Sequence, residues 1–178
     1  MSPAAFSPKY PLSLRILHWL IAALILALLA VGLVMTHLDK DDPSRPTLFG
    51  LHKSFGVTLL LLAALRLYLR LRLIIPPLPE IIPAFERAMA GLSHWLLYGF
   101  MFAMPLSGYL MTNFFGRPVQ WFGLTLPKLV AVDKDRGEWA WQFHWIAAYL
   151  LIGLITLHAS AALWHFLRQR VNLLERMW

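Results

Sequence analysis

The chain is expected to fold as an all-α integral membrane protein, a four-helix bundle, and three observations predict it. Of its 178 residues, 59% are hydrophobic and only 14% charged, well away from the average of a soluble domain. The apolar residues are gathered into four long runs, residues 12–36, 48–71, 89–112 and 139–166. Each run is long enough for a helix to cross the roughly 30 Å hydrocarbon layer of a bilayer. The last run carries His144 and His158, fourteen residues apart in what must be one helix. That spacing is a rise of about 21 Å and falls roughly 40° short of four full turns, so both imidazoles share one face, one near each membrane surface.

The first eleven residues carry prolines and no apolar period, so a short lead is expected before the first span. Lys9 and Arg15 stand at the start of that span as basic residues would in a signal peptide. Its apolar run is too long for a signal peptide's core and no A-x-A site follows, so it reads as a retained span. It holds two polar residues near its start, Arg15, which can snorkel, and His18, which sits deep enough to need a partner. Gly32 follows His18 by fourteen residues, on the same face, and leaves room for something bulky at the opposite level. A polar turn rich in aspartate leads into the second span, which opens with His52 and Gly56 and leaves the membrane through Arg66, Arg70 and Arg72. Arg66 again lies fourteen residues beyond the histidine, where it could meet an acidic cofactor group.

Four prolines between residues 75 and 83 make a stiff surface linker. The third span contains His94 early and then Pro105 and Gly108, so a bend is expected in its second half. The long connection that follows, residues 113–138, mixes Trp121 and Phe122 with charges and suits the membrane interface, as a lid. An even number of spans puts both termini on one side. Nine Lys and Arg residues fall on that side against seven on the other, so the termini are expected to be cytoplasmic. The formal net charge of +7 is concentrated at span ends, which favours anionic lipid headgroups as partners and not nucleic acid.

Topology pairs the histidines. The first span runs outward and the second and fourth run inward, so His18 meets His158 at the inner level and His52 meets His144 at the outer one. The chain has no cysteine, which excludes thiolate clusters and covalent haem attachment. Two imidazoles facing each other, twice over at two depths, are what two haem groups need. With both axial positions filled, such an iron carries electrons. Gly32, Gly56 and Gly153 would give flat places for porphyrin, and Arg66 or Arg15 would neutralise propionates. The plainer reading has each histidine satisfied by a neighbouring backbone or serine group; it accounts poorly for two level-matched pairs. A metal transporter would want carboxylates beside the histidines, and the spans hold almost none. His94 is the rival of His18 at the inner level, or a partner for a quinone carbonyl. His165 is expected in a structural or propionate-binding role, and His37 in a loop.

Several short motifs now stand together: His18-Trp19, Leu51-His52-Lys53-Ser54-Phe55-Gly56, Pro105-Leu106-Ser107-Gly108, Trp121-Phe122-Gly123-Leu124, Leu157-His158-Ala159 and Leu163-Trp164-His165. In order and spacing, over nearly the whole chain, they resemble the bacterial cytochrome b561 family. The resemblance implies a cytochrome of the bacterial inner membrane with two non-covalent haem b groups, whose ligand positions match His18, His52, His144 and His158. It also implies contact with the ubiquinone pool and, by likeness to one kind of member, a superoxide oxidase. The expected function is therefore electron transfer between a small periplasmic donor, superoxide among the candidates, and quinone. Lys53, Arg117 and Lys128 would steer a small anion, against Asp133, Asp135 and Glu138 in the same loop. The alternative is a membrane-anchor cytochrome subunit that accepts electrons from a docked soluble redox protein.

Overall fold

The structure, a computed structural model, describes residues 8–167 and 172–178. Arg168 and Arg170, which enter the charge count above, lie outside the described residues. Four helices make the bundle: α1 (Leu12–His37), α2 (Arg45–Arg72), α3 (Ala84–Phe114) and α4 (Lys134–Leu167). Prolines set three of the starts, with Pro11 and Pro83 just ahead of α1 and α3 and Pro46 inside the first turn of α2. Their fixed φ suits a helix entry and their missing N–H costs nothing there. Arg70 and Arg72 close α2, where cations meet the negative end of the helix dipole.

Three of these helices, α1, α2 and α4, are long and apolar enough to cross a membrane. Helix α3 has the length, but Glu86, Arg87, Ser93 and His94 make its first half more polar. All the helices extend past the apolar runs in the sequence. Helix α4 begins five residues earlier than its run, over Lys134 to Glu138, since a helix can continue into water where hydropathy gives no signal. Pro105 lies inside α3 without ending it.

Close packing runs in order, α1 on α2, α2 on α3 and α3 on α4, while α1 and α4 are not among the close neighbours. At mid-bundle a core of Leu17, Ile21, Ile25, Leu59, Ala63, Tyr98, Met101, Met104, Ala147 and Leu151 draws on all four helices. The outward faces are apolar as well, with Leu26, Leu61, Trp95 and Leu150 exposed, as lipid contact requires.

The connection between α3 and α4 is a cap pinned to the helices. It contains a two-stranded hairpin, β1 (Gln120–Trp121) and β2 (Leu124–Thr125), turned by Phe122 and Gly123 at φ of 47° and 91°. Ser54 of α2 donates to the Gln120 carbonyl (3.2 Å) and accepts from the Phe122 N–H (3.1 Å), and the Trp121 indole donates to Thr58 (3.1 Å). Asn113, fully buried, accepts from the Leu129 N–H at 2.8 Å, and the Tyr109 hydroxyl donates to the Pro127 carbonyl at 2.6 Å.

At the opposite end the two ends of the described chain meet. The Tyr10 N–H donates to the Arg176 carbonyl at 2.9 Å. The buried Arg176 side chain bonds the carbonyls of Pro76 and Pro77 and lies over the Tyr10 ring. A short helix, η1 (Leu174–Met177), carries this arginine. The Trp19 indole donates to the Met177 carbonyl at 2.7 Å, and Arg15 donates to the Trp178 main-chain oxygen. Both ends of the described chain therefore share one end of the bundle, here called the terminal end, and the hairpin marks its loop end.

Candidate haem-binding site

The histidines fall at two depths. At the terminal end, His18 of α1 and His158 of α4 stand with ring centres 6.3 Å apart and planes crossed at 75°. At the loop end, His52 of α2 and His144 of α4 repeat the arrangement at 6.3 Å and 73°. His94 joins the terminal-end group, its ring centre 5.4 Å from that of His158. Helix α4 thus supplies one imidazole to each level, as its fourteen-residue interval requires.

Crossed aromatic rings pack at centre distances of about 4.5–7 Å without any ligand. Two features go beyond such packing. Two imidazoles on opposite sides of one metal ion, each bonded at about 2.0 Å and with about 1.1 Å from nitrogen to ring centre, stand about 6.2 Å apart. Both pairs have that spacing. The His94–His158 distance, 5.4 Å, is shorter than that spacing. Moreover, His18 and His158 come from α1 and α4, and His52 and His144 from α2 and α4, helix pairs that are not close neighbours, so the rings of each pair face each other across a seam. Among the described residues no three His, Asp or Glu side chains converge to hold a bare metal ion. The donor set therefore fits a planar group with two open axial positions.

The loop-end pair opens on a cavity of about 350 Å³, lined mainly by apolar side chains. His52, His144, Gly32, Gly56 and Gly108 border it, with Arg45 and Lys53 among its few charged residues. The Nε of Arg45 is buried without a hydrogen-bond partner among the described residues. At the terminal end, Arg66 is 7% exposed and donates to the Leu14 carbonyl. It lies close enough to His18 and His158 to act on both, and Tyr98 stands beside it. No carboxylate pairs with Arg66 or Arg45 among the described residues. A buried cation without a counter-charge is costly, so buried Arg66 at one level and half-buried Arg45 at the other each offer a cation that an acidic group such as a propionate would satisfy.

Of the positions expected to receive porphyrin, Gly56 has open space beside it and borders the cavity, whereas Gly153 has open space but does not border it. Gly32 is in contact with a ligand candidate: a Cβ there would lie 3.2 Å from His52 Cε1. Gly108 does the same for His144, also at 3.2 Å. Gly108 follows His94 by fourteen residues, so all four helices carry the interval, as His18/Gly32, His52/Arg66, His94/Gly108 and His144/His158. Extending the interval to the third helix would have exposed the Gly108 seat. His165 is buried near Glu86, 3.5 Å away. His37 ends α1, bonded to the Leu33 carbonyl at 2.7 Å.

A family model described as prokaryotic cytochrome b561 matches residues 9–178. The chain belongs to the prokaryotic cytochrome b561 family. It is similar to cytochrome b561 homolog 2 of Escherichia coli (strain K12), 30% identical over 164 residues that cover 90% of this chain and 86% of that protein. It is also similar to the probable superoxide oxidase CybB of Yersinia pestis, 29% identical over 164 residues and 90% of each chain. Cytochrome b561 homolog 1 of Escherichia coli (strain K12) is 26% identical over 161 residues, 90% of this chain and 92% of that protein. Cytochrome b561 proteins of this kind bind haem b and transfer electrons in prokaryotic membranes, and the apolar helices and the haem-compatible histidines here agree with that membership.

Proposed function

We propose that this cytochrome b561 binds two haem b groups, His18 and His158 holding one and His52 and His144 the other, and passes electrons between a small donor at the loop end and the quinone pool. The observation that carries the reading is the common 6.3 Å spacing of the two histidine pairs. Bound haem would supply one-electron ferrous–ferric chemistry between the paired histidines. Arg66 and Arg45 would meet propionates at the two levels, Gly56 would give the macrocycle a flat edge, and the apolar core would keep water from the path between levels. The termini face the cytoplasm of a bacterial inner membrane, so the loop end faces outward. There Lys53 favours a small anion, and the likeness to a probable superoxide oxidase makes superoxide the donor to test first.

Pyridine haemochrome assays test the ligands: two haems per wild-type chain and one in each of His144→Ala and His158→Ala are expected. Two haems retained in both variants would refute the assignment. The substrates are tested by adding superoxide and a soluble ubiquinone analogue to the purified protein, with quinone reduction faster than in its absence expected. No acceleration, together with haem reduction by a co-purifying soluble protein, would make the chain a membrane-anchor subunit.

A further inference from the structure

The two loop-end histidines are held differently. His144 Nδ1 lies 2.9 Å from Ser107 Oγ, and that hydroxyl donates to the Met104 carbonyl, also at 2.9 Å. A hydroxyl has one hydrogen. With Nε2 left bare for an iron, Nδ1 carries the ring hydrogen and donates to Ser107, whose own hydrogen then goes to the Met104 carbonyl. Ser107 is 8% exposed, so little water competes for the contact. His52 lacks an equivalent partner: its Nδ1 is buried and unbonded, the Leu28 carbonyl approaching it without closing a hydrogen bond. Both rings rest on a glycine at the same 3.2 Å approach, and each has a main-chain carbonyl near it, Leu28 for His52 and Met104 for His144, so the difference between them is the serine.

We infer that Ser107 is a positioning residue for the loop-end haem: it fixes the tautomer and tilt of His144 and strengthens that imidazole as a donor, lowering the reduction potential of this haem alone. The inference rests on the bis-histidine haem proposed at this level. An acceptor on the far nitrogen of a ligating histidine raises its basicity, and a more basic ligand favours ferric over ferrous iron. A serine bonded only to its own helix would leave the haem indifferent to its loss.

The test uses the full-length, haem-loaded protein with Ser107→Ala, Ser107→Thr and Ser107→Val. Thr and Val have nearly the same shape, so their comparison isolates the hydroxyl even where the alanine variant assembles poorly. Haem content is measured first, then both potentials by optical redox titration, the loop-end signal being the one missing from His144→Ala. Expected are two haems throughout and, in the Ala and Val variants, a loop-end potential raised by on the order of tenfold in the ferrous-to-ferric ratio, ~59 mV for a one-electron couple. Thr should behave as wild type, and the other haem should not move. Two bound haems with unchanged potentials in Ala and Val, equal shifts at both haems, or Thr indistinguishable from Val would each overturn the role of Ser107 while leaving the two-haem reading intact. Fewer than two haems in the wild type would overturn that reading and this inference with it.

Discussion

Gly32 and Gly108 make the loop-end site sensitive to a single methyl group. Alanine at either position places a carbon 3.2 Å from Cε1 of the ring it faces. Carbon atoms rest at about 3.5–4.0 Å, so the imidazole must recoil by a few tenths of an ångström. Metal–ligand distances tolerate about 0.2 Å, so the recoil is large enough to weaken the bond. Overpacking of this kind costs about 1–3 kcal/mol, which is roughly fivefold to more than a hundredfold in haem retention at this level. Gly153→Ala is the internal control, because a Cβ there meets nothing within 4 Å and alanine is the better helix former. The assay is haem stoichiometry after exposure to apomyoglobin as a haem scavenger, with circular dichroism to check the fold. Faster loss of one haem is expected in Gly32→Ala and Gly108→Ala and wild-type behaviour in Gly153→Ala. Full retention in both glycine variants, or the same loss in the control, would refute the seat.

At the terminal end, His18→Ala should leave one haem per chain and His94→Ala two, because the 5.4 Å separation puts His94 beside His158; pyridine haemochrome assays decide this. Arg66→Met removes a buried cation close to His18 and His158, and should lower the terminal-end potential by roughly 1–2 kcal/mol, about tenfold in the ferrous-to-ferric ratio, with the loop-end haem unmoved. Ferric EPR should show the strongly anisotropic low-spin signals of crossed axial imidazoles at both haems, as the 75° and 73° ring angles require. In the polar turn before α2, hydrogen bonds from Ser44 hold the Asp42 carboxyl below its usual value. Its contribution to that turn is therefore present above the ordinary carboxylate pKa of about 4 and is lost as pH falls through the lowered value. Amide exchange at Ser44, followed against pH in wild type and Asp42→Asn, should show protection that disappears on acidification only in the wild type.

The four helices and the levels of their histidines were legible because length, hydropathy and a fourteen-residue interval are properties of single helices. The pairings of His18 with His158 and His52 with His144 needed only chain direction in addition. What was hidden depends on contacts between helices. Gly108 looked like a cause of bending, and only its distance to His144 shows it as a seat. Ser107 looked like part of a motif, since hydropathy carries no information about where a hydroxyl points. The hairpin at residues 120–125 gave no signal because two-residue strands are set by Ser54 and Thr58 on another helix. Arg45, half-buried at the very start of α2, borders the cavity without any hydropathy signal that it does so.

The knot at the terminal end bears on how this protein can be handled. Arg176 holds the proline linker and Tyr10, while Met177 and Trp178 hold Trp19 and Arg15, in the first turns of α1 beside His18. A purification tag or topology reporter fused after Trp178 would tug on the helix that carries His18. Such fusions should alter the colour of the terminal-end haem before they alter expression, and an internal tag in the turn before α2 would be the gentler choice.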